Sequence, residues 1–168
     1  MIKSKVYTTF PMPVRVGTIY YVKPPNRIWR HTSRRGRWLT TILYYVGPEA
    51  LSKSEVQDRG NTFPAFCEAS YDRETHNVMT VSWLNSNEKG LGTLLLVTAA
   101  LEAMRSGISD IRLDDDSDNF GQPNNIYRRV GMKYIEDGFP EMVGSTRTVK
   151  ERWCEIRKKY KCQLFCLE

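Results

Sequence analysis

The chain has 168 residues, of which 40% are hydrophobic and 26% charged, with a formal net charge of +6. That length fits one domain, 1–168, with a single sizeable core, and that balance excludes a disordered or low-complexity polymer. The longest apolar stretches, such as Ile42-Leu43-Tyr44-Tyr45-Val46, are strand-sized and fall far short of the ~20 residues of a membrane helix, so no membrane partner is expected.

In chain order, residues 13–22 are rich in Val, Ile and Tyr and predict a strand closed by Pro24-Pro25-Asn26. Residues 27–37 are basic and polar and predict a connection, followed by a strand from Trp38 to Val46. Gly47-Pro48-Glu49 predicts a turn into a short helix over 49–57, stopped by Arg59-Gly60-Asn61. Ala65–Tyr71 and Val78–Leu84, joined by Asp72-Arg73-Glu74-Thr75, predict a hairpin. After Gly92 the pattern changes. Leu94, Leu95, Val97, Leu101 and Met104 share a helical face, and Gly107 stands where a helix stops.

Ile108–Leu113 predicts a strand parallel to Val78–Leu84, because strand, loop, helix, strand is a βαβ unit. A short helix over Pro123–Val130, a strand from Met132 and a basic amphipathic helix over 148–164 complete the chain. The fold class expected is α+β, a mixed and mostly antiparallel sheet flanked by helices.

Cys67, Cys154, Cys162 and Cys166 include no CxxC pair, and His31 and His76 are distant in sequence, so no metal site is expected. No hydrophobic run follows Met1–Lys5, so the expectation is a cytoplasmic protein with free thiols. The charge is uneven. Arg27, Arg30, Arg34, Arg35 and Arg37 crowd the early part, Lys150 to Lys161 the end, and Asp114, Asp115, Asp116 and Asp118 the middle.

The segment Asn87-Glu88-Lys89-Gly90-Leu91-Gly92-Thr93, between a strand and a helix, has the composition of an anion cradle. The first N–H groups of a helix lack intrahelical partners, its dipole makes that end electropositive, and glycines let the main chain approach a phosphate. Lys89 and Thr93 add a charge and a hydroxyl. The loop is neither a P-loop nor a three-glycine dinucleotide fingerprint.

In that position the loop resembles the Gln/Arg-x-x-Gly-x-Gly/Ala segment of the GNAT acetyltransferases, with Asn87 in place of Gln or Arg. Asn124-Asn125-Ile126-Tyr127-Arg128-Arg129-Val130-Gly131-Met132 resembles that family's Leu-Tyr-Glu-Lys-Leu-Gly-Phe segment. The resemblance covers 78–145; the pair of helices usual after the family's first strand is hard to find. Leu113–Asp118 and Pro140-Glu141-Met142 also resemble acetyltransferase-like proteins of large DNA viruses.

The resemblance implies acetyl-coenzyme A as cofactor, its pyrophosphate on Asn87–Thr93 and Asn124 near it. It implies pantetheine pairing with the backbone of Trp83 and Leu84, and Tyr127 as general acid. The base stays open among Asp114, Asp115, Glu68 and His76. Consecutive aspartates repel one another and suit a cationic acceptor, such as a lysine side chain, a basic peptide or a polyamine.

Two other readings stand beside the enzyme. One is a GNAT fold that binds acyl-coenzyme A without turnover. The other is a nucleic-acid module, in which Arg27–Arg37 contacts phosphates while the interleaved aromatics stack on bases; the same segment could instead guide an enzyme to an acidic partner.

Overall fold

Two nine-residue strands, β1 (Arg27–Arg35) and β2 (Leu39–Gly47), open the described part of the chain as an antiparallel hairpin. The computed structural model describes residues 26–72, 74, 77–88 and 90–159, with side chains as far as Glu155. The strand expected at 13–22, His76, Lys89 and the end of the C-terminal helix lie outside the described residues.

β1 corrects the expectation of a basic connection over 27–37. Its charges alternate with residues that pack. Ile28 faces one side of the sheet, Trp29 and His31 the other, and all three are buried. The turn at Gly36 (φ +65) returns the chain into β2, whose Ile42 to Val46 are all buried.

The short helix α1 spans Lys53–Arg59, later than the 49–57 expected, because its start is set by a capping box and not by Pro48. Glu55 N donates to Ser52 Oγ at 3.4 Å and Ser52 N donates to Glu55 Oε2 at 2.8 Å, satisfying two otherwise orphaned N–H groups. A 3-10 turn over Gly60–Thr62 leads into β3 (Ala65–Asp72), which forms the expected hairpin with β4 (Val78–Ser86).

α2 (Leu91–Arg105) follows, and β5 (Asp110–Asp114) lies parallel to β4. The central β–loop–α–β unit is therefore present. α3 (Ile126–Arg129) is a single turn. β6 (Lys133–Tyr134) is only two residues long, and β7 (Glu141–Ser145), not anticipated, inserts between β5 and β6. α4 begins at Thr146 and is described to Lys159.

The described strands form one sheet in the order β1-β2-β3-β4-β5-β7-β6, antiparallel except for β4–β5. Its two faces are covered unequally. α2 and α4 pack together on one face, burying Leu95, Leu96, Val149 and Trp153 with Ile42, Tyr44, Cys67, Met79 and Ile111. Each fully buried aliphatic side chain of this size contributes roughly 1.5–3 kcal/mol. On the other face, α1 and the 3-10 turn cover only the β1–β3 part, through Val56, Phe63, Phe66, Tyr45, Leu43 and Trp29.

One ionic group crosses the main core. Arg30 of β1 and the Tyr44 hydroxyl of β2 both donate to the Glu102 carboxylate of α2. Burial works against the Arg30 charge, and the contacts with Glu102 more than offset it.

Candidate active site

The parallel pairing of β4 with β5 stops halfway. It runs from Val78↔Asp110 to Val81↔Leu113, yet β4 continues to Ser86. The cause is local to β4. Its register with β3 passes from Glu68↔Trp83 to Ala69↔Val81, so Ser82 is an extra residue in the ladder. A bulge of this kind bends a strand and interrupts its alternation. Met79 and Val81 face the helices before it; Leu84 does so after it, and Ser86 lies against the start of α2.

The bend carries Ser82–Ser86 away from β5 and leaves their β5-side backbone groups without a strand partner. A groove of about 910 Å³ fills the gap, bounded by Ser82 to Ser86 on one side, Leu113, Asp114 and Asp116 to Asn119 on the other, and Tyr127.

Within the groove, Trp83 is 42% exposed and stands edge-on to Phe66 at 5.2 Å, while Leu84 packs toward the helices. Tyr127 is half-buried against the core. Its phenol is pushed up to about 12, first by burial and then by Asp115, Cys67 and Asp116, so it holds its proton at neutral pH. Cys67 is itself a fully buried thiol, raised to about 12 by burial.

Charge is distributed unequally along the groove. At the β5 end, Asp114, Asp116, Asp118 and Glu141 are opposed by Arg112 alone among the lining residues, and Arg112 pairs with Glu141 at 3.1 Å. At the Ser86 end the chain turns into α2, whose opening N–H groups make an electropositive terminus.

The turn itself is tightly made. Gly90 adopts φ +88, and a Cβ on Gly92 would stand 3.0 Å from the Ser86 Cβ, so Gly92 sets the close approach of helix to strand. Asn87 does not face the groove. Its Nδ2 donates to the carbonyls of Asn61 and Phe63, both at 3.0 Å, while its N–H and that of Glu88 donate to Pro64 O. Both amide hydrogens of Asn87 are thus committed to tying the loop to the 61–64 segment. Glu88 is exposed, while Leu91 and Thr93 are buried in the helix face.

Asp114 lines the groove, but Asp115 points inward and is 2% exposed. Its carboxylate accepts from Ser117 N at 3.0 Å, from Asn125 Nδ2 at 2.6 Å, and from the Ser117 and Tyr134 hydroxyls. Burial opposes its charge, but these donors outweigh burial and hold the carboxyl below the usual carboxylate range. Asn124 is exposed and outside the groove lining; its neighbour Asn125 is wholly buried. Glu68 lies beside the bulge, where Ser82 Oγ donates to its backbone O at 3.2 Å and Gln57 Nε2 donates to Oε2 at 3.0 Å.

The structure therefore brings together Trp83, Leu84, Asp114 and Tyr127 around one groove, with Asn87, Glu88 and Gly90 to Thr93 beyond its Ser86 end. The sequence reading missed the bulge at Ser82, the groove lining of Arg112 and Glu141, and Asn125. For Asn125 a signal was available, since Asn directly before a helical segment is a capping residue.

No family model and no curated protein matches the chain in sequence. Solved structures similar to it include a mutant of the cAMP-binding acyltransferase from Mycobacterium smegmatis. That match has 13% identity and TM-score 0.41 over 68% of this chain, and spans only 38% of that protein's length. Tetrahymena GCN5 is similar at 12% identity and TM-score 0.38, over 66% of this chain and 69% of the other.

Proposed function

We propose that this chain is an acyl-coenzyme A-dependent N-acyltransferase of the GNAT kind, moving an acetyl group from acetyl-coenzyme A to a primary amine on a cationic substrate. The observation that carries the reading is the parting of β4 from β5 after Val81, which leaves an open backbone edge beside a protonated tyrosine.

The residues fit an acyl-coenzyme A in three respects. Ser82–Ser86 offer backbone amides to a ligand with amides of its own. The N-terminus of α2 offers N–H donors and a favourable dipole to a pyrophosphate. Asp114 and Asp116 keep an acidic end for the other substrate. When bound, the cofactor supplies a thioester, an acyl carbonyl activated toward attack by an amine.

Tyr127 donates its phenolic proton to the departing thiolate, a role that requires it to stay protonated, as burial and the nearby carboxylates ensure. Backbone N–H groups near Trp83 and Leu84 hold the acyl oxygen as charge develops on it. Asp114 and Asp116 attract the ammonium form of the acceptor; Asp114, directly or through water, takes the first proton the nitrogen loses, and the second, released as the amide forms, returns through solvent to the Tyr127 phenolate. Asp115 does not serve as that base, because its lone pairs are already committed to four donors.

Two measurements test the reading. Acetyl-coenzyme A should raise the melting temperature, and no stabilisation at all would overturn it. Tyr127→Phe should lower kcat by about 10²- to 10⁴-fold with cofactor affinity nearly unchanged. Stabilisation without transfer to any amine would instead support a binder without turnover.

A second reading is favoured by the β1–β2 turn. Arg34, Arg35 and Arg37 are exposed there beside Trp38 at 44% exposure, a composition suited to single-stranded nucleic acid. Three other residues of the segment are otherwise engaged. Arg30 pairs with Glu102, Trp29 Nε1 donates to Gly47 O at 2.9 Å, and His31 is buried. Salt-dependent binding of an oligonucleotide, weakened by joint Arg34→Ala and Arg37→Ala substitution, is the expected result. Binding unaffected by that pair would remove this reading.

A further inference from the structure

α3 presents a physical difficulty. A helix of four residues has no stability of its own, since one turn fixes several dihedrals for a single hydrogen bond. Yet α3 carries Tyr127, whose direction determines what its hydroxyl can reach. Something outside the helix must hold it.

The hydrogen bonds converge on one group. Asn125 caps α3, and its Oδ1 accepts from the N–H groups of Tyr127 at 2.9 Å and Arg128 at 3.3 Å. Its Nδ2 is anchored in turn on Asp115 Oδ2 at 2.6 Å and on Asn119 O at 3.2 Å. The same Asp115 oxygen accepts the Tyr134 hydroxyl, and that hydroxyl accepts from Gly121 N at 2.7 Å. Asp115 N donates to Pro140 O at 2.8 Å, fixing the carboxylate relative to the end of β5. From the sheet to the tyrosine there is thus one chain of contacts: β5, Asp115, Asn125, Tyr127.

We propose that Asp115, Asn125 and Tyr134 form a latch that positions Tyr127 in the groove, with Asp115 acting through Asn125 rather than on substrate. This rests on the acyl-transfer reading only for the activity measured. The placement of α3 by the latch stands independently of it.

Donor count makes the latch specific for a carboxylate. Asp115→Asn keeps the shape but turns an acceptor into a donor facing Asn125 Nδ2 and the Tyr134 hydroxyl, whose oxygen already accepts from Gly121. Asn125→Asp keeps the cap but sets two carboxylates face to face. Exchanging both, as Asp115→Asn with Asn125→Asp, restores one donor opposite one acceptor between 115 and 125 and leaves an oxygen for the Tyr127 N–H, while the Tyr134 hydroxyl and Asn119 O still lose their partners.

The experiment is a cycle of these variants measured two ways. In acetyl transfer, Asp115→Asn should lower kcat about tenfold or more with KM for acetyl-coenzyme A little changed, and the exchanged pair should recover part of the loss. In the Tyr127→Phe background, Asp115→Asn should lower kcat no further, because the group through which it acts is gone. An equal loss in both backgrounds would overturn the latch and leave Asp115 a general structural residue.

The second readout needs no turnover. In protein labelled with ¹³C at the tyrosine ring, the Tyr127 signal, assigned by its loss in Tyr127→Phe, should move in Asp115→Asn and shift back toward the wild-type position in the exchanged pair. An unmoved signal overturns the latch even where the enzyme reading holds. A wild type without acetyl transfer overturns the enzyme reading while this arm still decides the latch. Tyr134→Phe removes a single donor and serves as the milder variant should Asp115→Asn not fold; it should shift both readouts in the same direction.

Discussion

Replacing Gly131 by alanine should destabilise the protein through two separable effects. Gly131 closes α3, its N–H donating to Arg128 O at 3.0 Å while Met132 N donates to Tyr127 O at 2.9 Å. It sits at φ +92, where an L side chain costs about 1–2 kcal/mol. A Cβ there would also stand 2.6 Å from Thr148 Cγ2 and 3.4 Å from Arg152 Cγ on α4. Real contacts do not come so close, and relieving such overpacking costs about 1–3 kcal/mol. The sum is about 2–5 kcal/mol, or about 4–20 °C in melting temperature for a chain of this size.

The two effects separate in a double variant. Thr148→Ser removes the offending methyl but keeps the hydroxyl that accepts from Ser145 Oγ at 2.7 Å. Combined with Gly131→Ala, it should return the overpacking share and leave only the backbone strain of about 1–2 kcal/mol. Urea unfolding followed by circular dichroism measures both. A Gly131→Ala loss below about 0.5 kcal/mol, or no coupling to Thr148→Ser, would refute the reasoning.

Glu102→Gln should cost about 2–4 kcal/mol, because Arg30 and Glu102 are each only 19% exposed and Arg30 would keep its charge beside a neutral amide. The joint change Arg30→Met with Glu102→Leu should cost much less in the same unfolding assay. His31 should make stability depend on pH. Its imidazole is buried with Nδ1 unbonded, and burial lowers its pKa, so the unfolded chain binds the proton more readily. Its contribution is fully present above about pH 6.5 and is lost as pH falls through the interval below. Urea titrations at pH 7 and pH 5.5 should therefore show a drop that is smaller in His31→Phe.

The parts of the fold that were legible in the sequence are those whose reasons are local. The β3–β4 hairpin, α2 with its Gly107 stop and the β5 strand each carry their own periodicity. β1 was hidden by its arginines, because a strand that pairs Arg30 with a glutamate seventy-two residues away looks polar until Glu102 is beside it. β7 was hidden for a related reason. Glu141 to Ser145 is short and contains Gly144, which is needed because a Cβ there would stand 3.0 Å from Met132 Cγ. Only the sheet order makes that fit visible.

At the site, Tyr127, Trp83, Leu84 and Asp114 share the groove, as their positions on α3, β4 and β5 allowed. The contrast between Asp114 and Asp115 could not be read from three aspartates in a row. Strand alternation turns one outward and the next inward, but the donors that receive Asp115 come from 117, 125 and 134. Asn87 is a similar case, since the carbonyls that occupy its amide belong to Asn61 and Phe63.

The bulge at Ser82 gives the groove a further property, a fixed depth. β4 and β5 hold ordinary strand spacing, about 4.8 Å, as far as the Val81–Leu113 rung, and only beyond it do they diverge. The five residues from Ser82 to Ser86 span about 16 Å at the usual rise of ~3.3 Å. An extended ligand entering from the α2 end can take the place of the missing strand for that length and then meets a closed ladder. The wedge is thus a gauge: its apex decides where the tip of a thin chain comes to rest, using the same spacing that builds the sheet.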